Sequence, residues 1–295
     1  MSTPATPLTL AGRAVVITGA GRGLGAAYAA AVAAAGAAVV VNDIDDAEAR
    51  RTADAIVADG GRAVSHPADI TDWEQADRLI DRCVQEFGAI DGLVNNAGYF
   101  ALSLPQDQQP EPLRRTIDVN LFGTAACGVH ALRRMVEQGR GVVVNVTSGE
   151  QMGKTASAIY GATKAGVATL TYSWAEDMRE HGIRVNAISP NAHTRMATIY
   201  EQFRGAAGSQ NIGLAPELNA PLVVYLLSDL SAAVTGQVVR LNGSELMLGT
   251  HPANLDPVRS CDDWTVEAIA EVFDTDFVQR LQPAGVRRVR TEVLD

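Results

Sequence analysis

Two hydrophobic periods alternate along the chain. Short Val- and Ile-rich runs, apolar at successive positions, are separated by longer Ala-rich stretches with amphipathic spacing. A run that is apolar on both faces reads as a strand covered on both sides, the signature of a parallel sheet between helical layers. Seven strands are predicted: Ala14 to Thr18, Ala37 to Asn42, Arg62 to His66, Gly92 to Asn95, Gly141 to Thr147, Arg184 to Ser189 and Gln237 to Leu241. The spacers are helix-length, so the fold class is α/β, a single doubly wound parallel sheet of about seven strands flanked by helices. Thr71-Asp72-Trp73-Glu74 has capping-box spacing and predicts a helix running to about Phe87, closed by Gly88.

No repeat or low-complexity linker interrupts the residues before about 245, which are predicted to form one dinucleotide-binding and catalytic domain, 1–245. Residues 246–295 form a C-terminal extension. It is irregular, with Pro252, Pro257 and Pro283 around one predicted helix starting near Thr265, and it reads as a lid, a subunit contact or a surface wrap.

At 295 residues, 47% of them hydrophobic and 20% charged, the chain has the composition of a globular protein with a sizeable core. Its net charge of −10 repels phosphate backbones and anionic lipid heads, so neither nucleic acid nor a membrane is an expected partner. The longest apolar stretch, Ala26 to Val41, is broken by Gly36. The first ten residues lack the basic start and apolar run of a signal peptide, which predicts a cytoplasmic protein. Cys83, Cys127 and Cys261 have neither disulfide-framework nor metal-ligand spacing, and the five histidines are scattered, so no metal site is expected.

Candidate chemistry begins at Thr18-Gly19-Ala20-Gly21-Arg22-Gly23-Leu24-Gly25, between the first strand and the first helix. Glycines there let backbone N–H groups approach a pyrophosphate at a helix N-terminus, which makes the sheet Rossmann-like. Taken alone, they would equally make a tight turn. Asp43 ends the second strand 18 residues after Gly25, where a carboxylate accepts hydrogen bonds from ribose hydroxyls and repels a 2′-phosphate. The expected cofactor is therefore NAD, with Ile44 beside Asp43, although Arg22 in the turn would attract a phosphate. Asp43 also reads as a helix cap, but Asp45 and Asp46 are better placed for that. Asp69 is placed to meet the adenine amino group and Ile70 to pack on its ring, though a surface aspartate fits the same pattern. Asn95-Asn96-Ala97-Gly98 offers small, amide-bearing residues for close approach to a flat ligand, or simply a turn.

Tyr160 and Lys164 lie four positions apart on a predicted helix, hence on one face. With six tyrosines and two lysines in the whole chain, a chance pair at that spacing is rare. A phenol of ordinary pKa near 10 is scarcely ionised at neutral pH. A neighbouring ammonium, together with a positive nicotinamide, favours the phenolate and makes Tyr160 a general acid and base. Ser148, closing the fifth strand, would donate to the substrate oxygen. Asn120 would anchor, through its backbone carbonyl, a water linking Lys164 to solvent.

Together, T-G-x-x-x-G-x-G, Asn95-Asn96-Ala97-Gly98, Asn120, Ser148 and Tyr160-x-x-x-Lys164 resemble the short-chain dehydrogenase/reductase family over residues 10 to 245. The resemblance implies an Asn-Ser-Tyr-Lys tetrad and an NAD(P) site including Gly19, Arg22, Gly23, Leu24, Asn96, Ala97, Gly98, Pro190 and Thr194. It also implies a homodimer or homotetramer. Val41-Asn42-Asp43, Pro190-Asn191-Ala192 and Ala215-Pro216-Glu217 further resemble the hydroxyacyl-CoA dehydrogenase module of peroxisomal multifunctional enzymes. Two departures stand out. Ser148 precedes Tyr160 by 12 residues, one fewer than the family interval, and Pro190-Asn191 replaces the usual Pro-Gly with Thr194 one residue early.

Gln151, Met152 and residues 193–203, with Met196, Ile199, Tyr200 and Phe203, predict an apolar pocket. The expected reaction interconverts a secondary alcohol and a ketone on a 3-hydroxyacyl thioester, a steroid or a terpenoid. The alternative is a non-catalytic NAD-binding sensor or scaffold with the same fold. An epimerase or dehydratase would carry T-G-x-x-G-x-x-G and a larger C-terminal domain, which this sequence lacks.

Overall fold

The computed structural model describes residues 9–192, 199, 203, 214–256 and 258–282. Among them, eight strands form one sheet in the order β3-β2-β1-β4-β5-β6-β7-β8. They are β1 (Ala14–Ile17), β2 (Ala38–Asp43), β3 (Arg62–Pro67), β4 (Gly92–Asn95), β5 (Gly141–Val146), β6 (Ile183–Pro190), β7 (Val238–Asn242) and β8 (Glu245–Leu248). Neighbouring strands from β3 to β7 pair in parallel. The seven expected strands are all present within a residue or so of their predicted ends.

The eighth strand was not expected. It pairs antiparallel with β7, Asn242 opposite Glu245, leaving Gly243-Ser244 as a two-residue hairpin loop. Its Leu246 and Leu248 are both exposed, so β8 lacks the doubly buried apolar run by which the other strands announce themselves.

The helices are α1 (Gly23–Ala34), α2 (Asp46–Ala58), α3 (Trp73–Phe87), α4 (Pro110–Ile117), α5 (Thr124–Gln138), α6 (Ala158–Asp177), α7 (Ala220–Leu227) and α8 (Val266–Thr275). Alternate strand residues face two layers. Val15, Ile17, Val39, Val41, Val94 and Val144 pack with Tyr28 and Val32 of α1, Ile56 of α2 and Leu226 of α7. Val16, Val40, Leu93, Val143 and Val185 pack on the other face with Leu79 and Ile80 of α3 and Met135 of α5. Each fully buried Val or Leu contributes roughly 1.5–3 kcal/mol, which is why the valine runs of β1, β2 and β5 are apolar on both faces.

The predicted helix at 71–88 forms with a different cap. Asp72, not Thr71, is the N-cap and accepts from the Gln75 N–H at 2.9 Å, while the Thr71 hydroxyl turns back to Asp69. Gly88 closes the helix in the left-handed conformation.

The chain divides into two compact units, residues 1–249 and 250–295. In the first, β8 carries the sheet past the expected boundary at 245. The second contains α8, capped by Thr265, whose hydroxyl accepts from the Ala268 N–H at 3.1 Å. No helix of the described residues is long and apolar enough to cross a membrane.

Candidate active site

The strand order reverses between β1 and β4, and the glycine turn and the segment 95–98 meet at that switch point, outside the strands' C-terminal ends. Gly19 has φ +60°, and a Cβ there would lie 2.7 Å from the Ala97 Cα, so only glycine lets the two segments touch. The Asn96 amide locks the contact by donating to the carbonyls of Thr18 and Gly19 at 3.0 Å each. The Thr18 hydroxyl accepts from the N–H groups of Asn96 and Ala97, also at 3.0 Å. This clasp fixes Gly98, one residue on, beside the same crevice.

Arg22 is the N-cap of α1 but supplies no side-chain cap, so the first-turn N–H groups have no capping side chain. Gly23, at φ +56°, faces open space. Leu24 packs partly against the core and anchors the turn from behind. An uncapped helix end with positive dipole and open room fits a pyrophosphate.

Asp43 ends β2 and is 7% exposed. One carboxylate oxygen accepts from the Gly21 N–H and the other from the Asp45 N–H, both at 3.1 Å. Asp45, not Asp43, caps α2. Two hydrogen bonds leave acceptor capacity on the carboxylate for a diol. Arg22 sits 4.0 Å from Asp45, which draws the one cation of the turn toward a carboxylate.

Ile44 is exposed and, with Asp69 and Val119, lines a cavity of about 940 Å³ beside α4, large enough for an adenine-sized group. Asp69 accepts from the backbone and hydroxyl of Thr71. Ile70 differs from expectation: it is buried in the helical core, and its side chain fills the space a Cβ on Gly123 would need. It supports α5 and is not a free face for a ring.

The catalytic candidates converge above β5. Tyr160 and Lys164 are both buried on α6. The Lys164 ammonium lies 5.7 Å from the Tyr160 ring centre and donates to the Val146 carbonyl at 2.8 Å. Phe100 packs edge-on against the Tyr160 ring, centroids 4.7 Å apart. Ser148, N-cap of a short 3-10 turn at Gly149–Met152, lies close enough to Tyr160 to favour its ionised form. Asn120 is fully buried in a π-helical turn, Asp118–Gly123, that breaks the run from α4 into α5. Its amide donates to the Tyr99 carbonyl at 2.9 Å and to the Thr163 hydroxyl at 3.2 Å, and its oxygen accepts from the Tyr99 N–H at 2.7 Å. The side chain thus ties the segment after β4 to α6, a role that the sequence reading did not assign.

Electrostatics differ from the simple lysine argument. Burial raises the Tyr160 phenol above its ordinary value, the Glu150 carboxylate raises it further, and only the Ser148 hydroxyl opposes them. Burial also lowers Lys164 to about 8. Among the described residues the balance favours the neutral phenol, and a positive charge brought in with a ligand would lower it.

Glu150 was missed. Its carboxylate accepts from the Ser148 hydroxyl and from the Lys154 ammonium, each at 2.8 Å. The signal was available: Lys154 is one of only two lysines and stands four residues after Glu150.

Pro190 ends β6, and the loop after it is held differently from a Pro-Gly turn: the Asn191 amide donates to Asn242 and its carbonyl accepts from Asn219 at 3.0 Å. Of the expected pocket, Gln151 is half-buried and Met152, Ile199 and Phe203 are exposed. Thr194, Met196 and Tyr200 lie outside the described residues.

The model of the short chain dehydrogenase family matches residues 13–203. A cis-4-hydroxycyclohexanecarboxylate dehydrogenase of Sinomonas cyclohexanicum is 40% identical over 238 residues, covering 78% of this chain and 95% of that protein. 3beta-Hydroxysteroid dehydrogenase 1 of Eggerthella lenta is 37% identical over 245 residues, covering 79% and 94% respectively. A short chain dehydrogenase structure from Mycobacterium avium superposes with a TM-score of 0.83 at 34% identity, covering 94% of this chain and 98% of that one. A switch-point crevice shaped for a dinucleotide, a buried Tyr-Lys pair beside it and these matches make one conclusion: the chain belongs to the short chain dehydrogenase family, nicotinamide-cofactor oxidoreductases acting on hydroxyl and keto groups.

Proposed function

We propose that this protein is an NAD-dependent dehydrogenase that interconverts a secondary alcohol and a ketone on a bulky, largely apolar carbon skeleton. The observation that carries the reading is the buried Tyr160 on one helix face with Lys164, whose ammonium lies 5.7 Å from the ring centre, with Ser148 beside the pair. Bound NAD supplies the hydride acceptor and a positive charge. Tyr160 takes the hydroxyl proton in oxidation and returns it in reduction. Ser148 donates to the reacting oxygen. Lys164, held by Val146, would hold the cofactor's sugar, and Asn120 keeps the segment after β4 in register with α6.

Asp43 supports NAD over NADP, because a nearly buried carboxylate at the end of β2 repels a second phosphate. The two named relatives act on hydroxyls of ring carbons, which supports an alicyclic substrate such as a hydroxycyclohexane or a steroid. A 3-hydroxyacyl thioester or a terpenoid alcohol remains within the same class. The unit of residues 1–249 carries this chemistry.

The experiment is a panel of 4-hydroxycyclohexanecarboxylates, steroids, terpenoid alcohols and 3-hydroxyacyl-CoA with NAD, followed by NADH absorbance. Tyr160→Phe should lower turnover by about a hundredfold or more, the usual scale of general acid and base catalysis, while cofactor binding survives. Full turnover by that variant would remove the mechanism.

A further inference from the structure

The Ser148 hydroxyl donates to Glu150 Oε2 at 2.8 Å. The other carboxylate oxygen is held by Lys154 at the same distance, with Glu150 mostly shielded and Lys154 at the rim. The loop bearing these groups is pressed onto the catalytic helix, since a Cβ on Gly161 would fall 2.6 Å from the Glu150 carbonyl oxygen. It is fixed from behind too. A Cβ on Gly149 would fall 2.5 Å from Arg240 Nη1, so the turn fits closely against β7.

We propose that Glu150 is a positioning residue of the reaction: held by Lys154, it directs the Ser148 hydroxyl and places a negative charge beside Tyr160. This rests on the reading of Tyr160 as acid and base. A carboxylate accepts about twice as strongly as a neutral oxygen. Glu150 therefore competes with the substrate oxygen for Ser148, and it opposes ionisation of the phenol.

The groups facing this cluster are few. Lys164 comes from α6 itself, Glu150 and Lys154 from the preceding loop, and Arg240 from β7 at Gly149. Phe100 and Asn120, from the segment after β4 and the π turn, are uncharged, and Arg115 is stacked on the Tyr99 ring 4.8 Å away. Among the described residues, Glu150 is the anionic side chain that bears on Tyr160, and Lys154 holds it.

The pH dependence of kcat/KM for alcohol oxidation, with saturating NAD and the fastest alcohol of the panel, tests this. In wild type the acid limb marks ionisation of the base. Glu150→Gln keeps an oxygen for Ser148 but loses the charge, so the limb should move to lower pH by about one unit, a tenfold gain at a fixed pH below it. Lys154→Met exposes the charge and should move the limb the opposite way. A structural role alone would lower rates without displacing the limb. Limbs that coincide with wild type, or that move in the same direction, overturn the proposal. Lys154 is partly exposed, so that variant carries the test even where Glu150→Gln does not fold. Failure of the underlying reading is separate: it would appear as full turnover by Tyr160→Phe, whatever the limbs do.

Discussion

Lys164 sits beneath the Tyr160 ring, its ammonium 5.7 Å from the ring centre, without hydrogen-bonding the phenol. The pair is therefore coupled through space and through what binds between them. Lys164 costs the fold something when charged. Its folded value, about 8, lies below the ordinary 10.5, so between those values the unfolded chain holds a proton that the folded chain does not. Stability then rises with pH through that window.

Lys164→Met should abolish this rise. Between pH 7.5 and 9.5 the urea midpoint of wild type should gain on that of the variant, while the buried Cys83 and Cys127 thiols, pushed up to about 12, pull both proteins the other way. A gap between the two that stays constant would assign the rise to other groups.

Asp43→Ser tests cofactor choice. The serine still accepts from the Gly21 N–H, but the charge is gone, and a hydrogen bond to a charged group is worth about 1.5–3 kcal/mol. KM for NAD should rise roughly tenfold or more, and the ratio of NAD to NADP efficiency should fall. A preference for NADP already present in wild type would mean that Arg22 outweighs Asp43.

Gly19→Ala tests the clasp at the switch point. Its Cβ would strike Ala97 backbone at 2.7 Å, with φ at +60° adding left-handed strain of about 1–2 kcal/mol. Both cofactor affinity, by calorimetry, and the urea midpoint should drop. Loss of neither would show that the segments separate freely.

Much of this was legible because the chemistry is written in local spacing. Doubly apolar runs announced seven strands, and Tyr160 and Lys164 share a face at a spacing that few residues of those types could meet by chance. β8 was missed because it sits at an edge and exposes its leucines, yet Gly243-Ser244 is the kind of two-residue pair that turns a hairpin. Asp72 was overlooked for Thr71 because both can cap, and only the geometry of Asp69 decides which is free. Ile70 was assigned to the ligand because sequence does not say which side of a strand end faces the helices. The Asn120 side chain and the neutral state of Tyr160 depend on groups far apart in sequence, which no local pattern reports.

The interval from Ser148 to Tyr160, one residue short of the family's, holds Ala156 at φ +62°, the only non-glycine residue with positive φ among those described. Ala156 is buried, and its carbonyl accepts from the Ser103 N–H at 2.9 Å. Ala156 thus anchors the span between the Ser148 and Tyr160 hydroxyls in a left-handed backbone conformation that a β-branched residue adopts poorly.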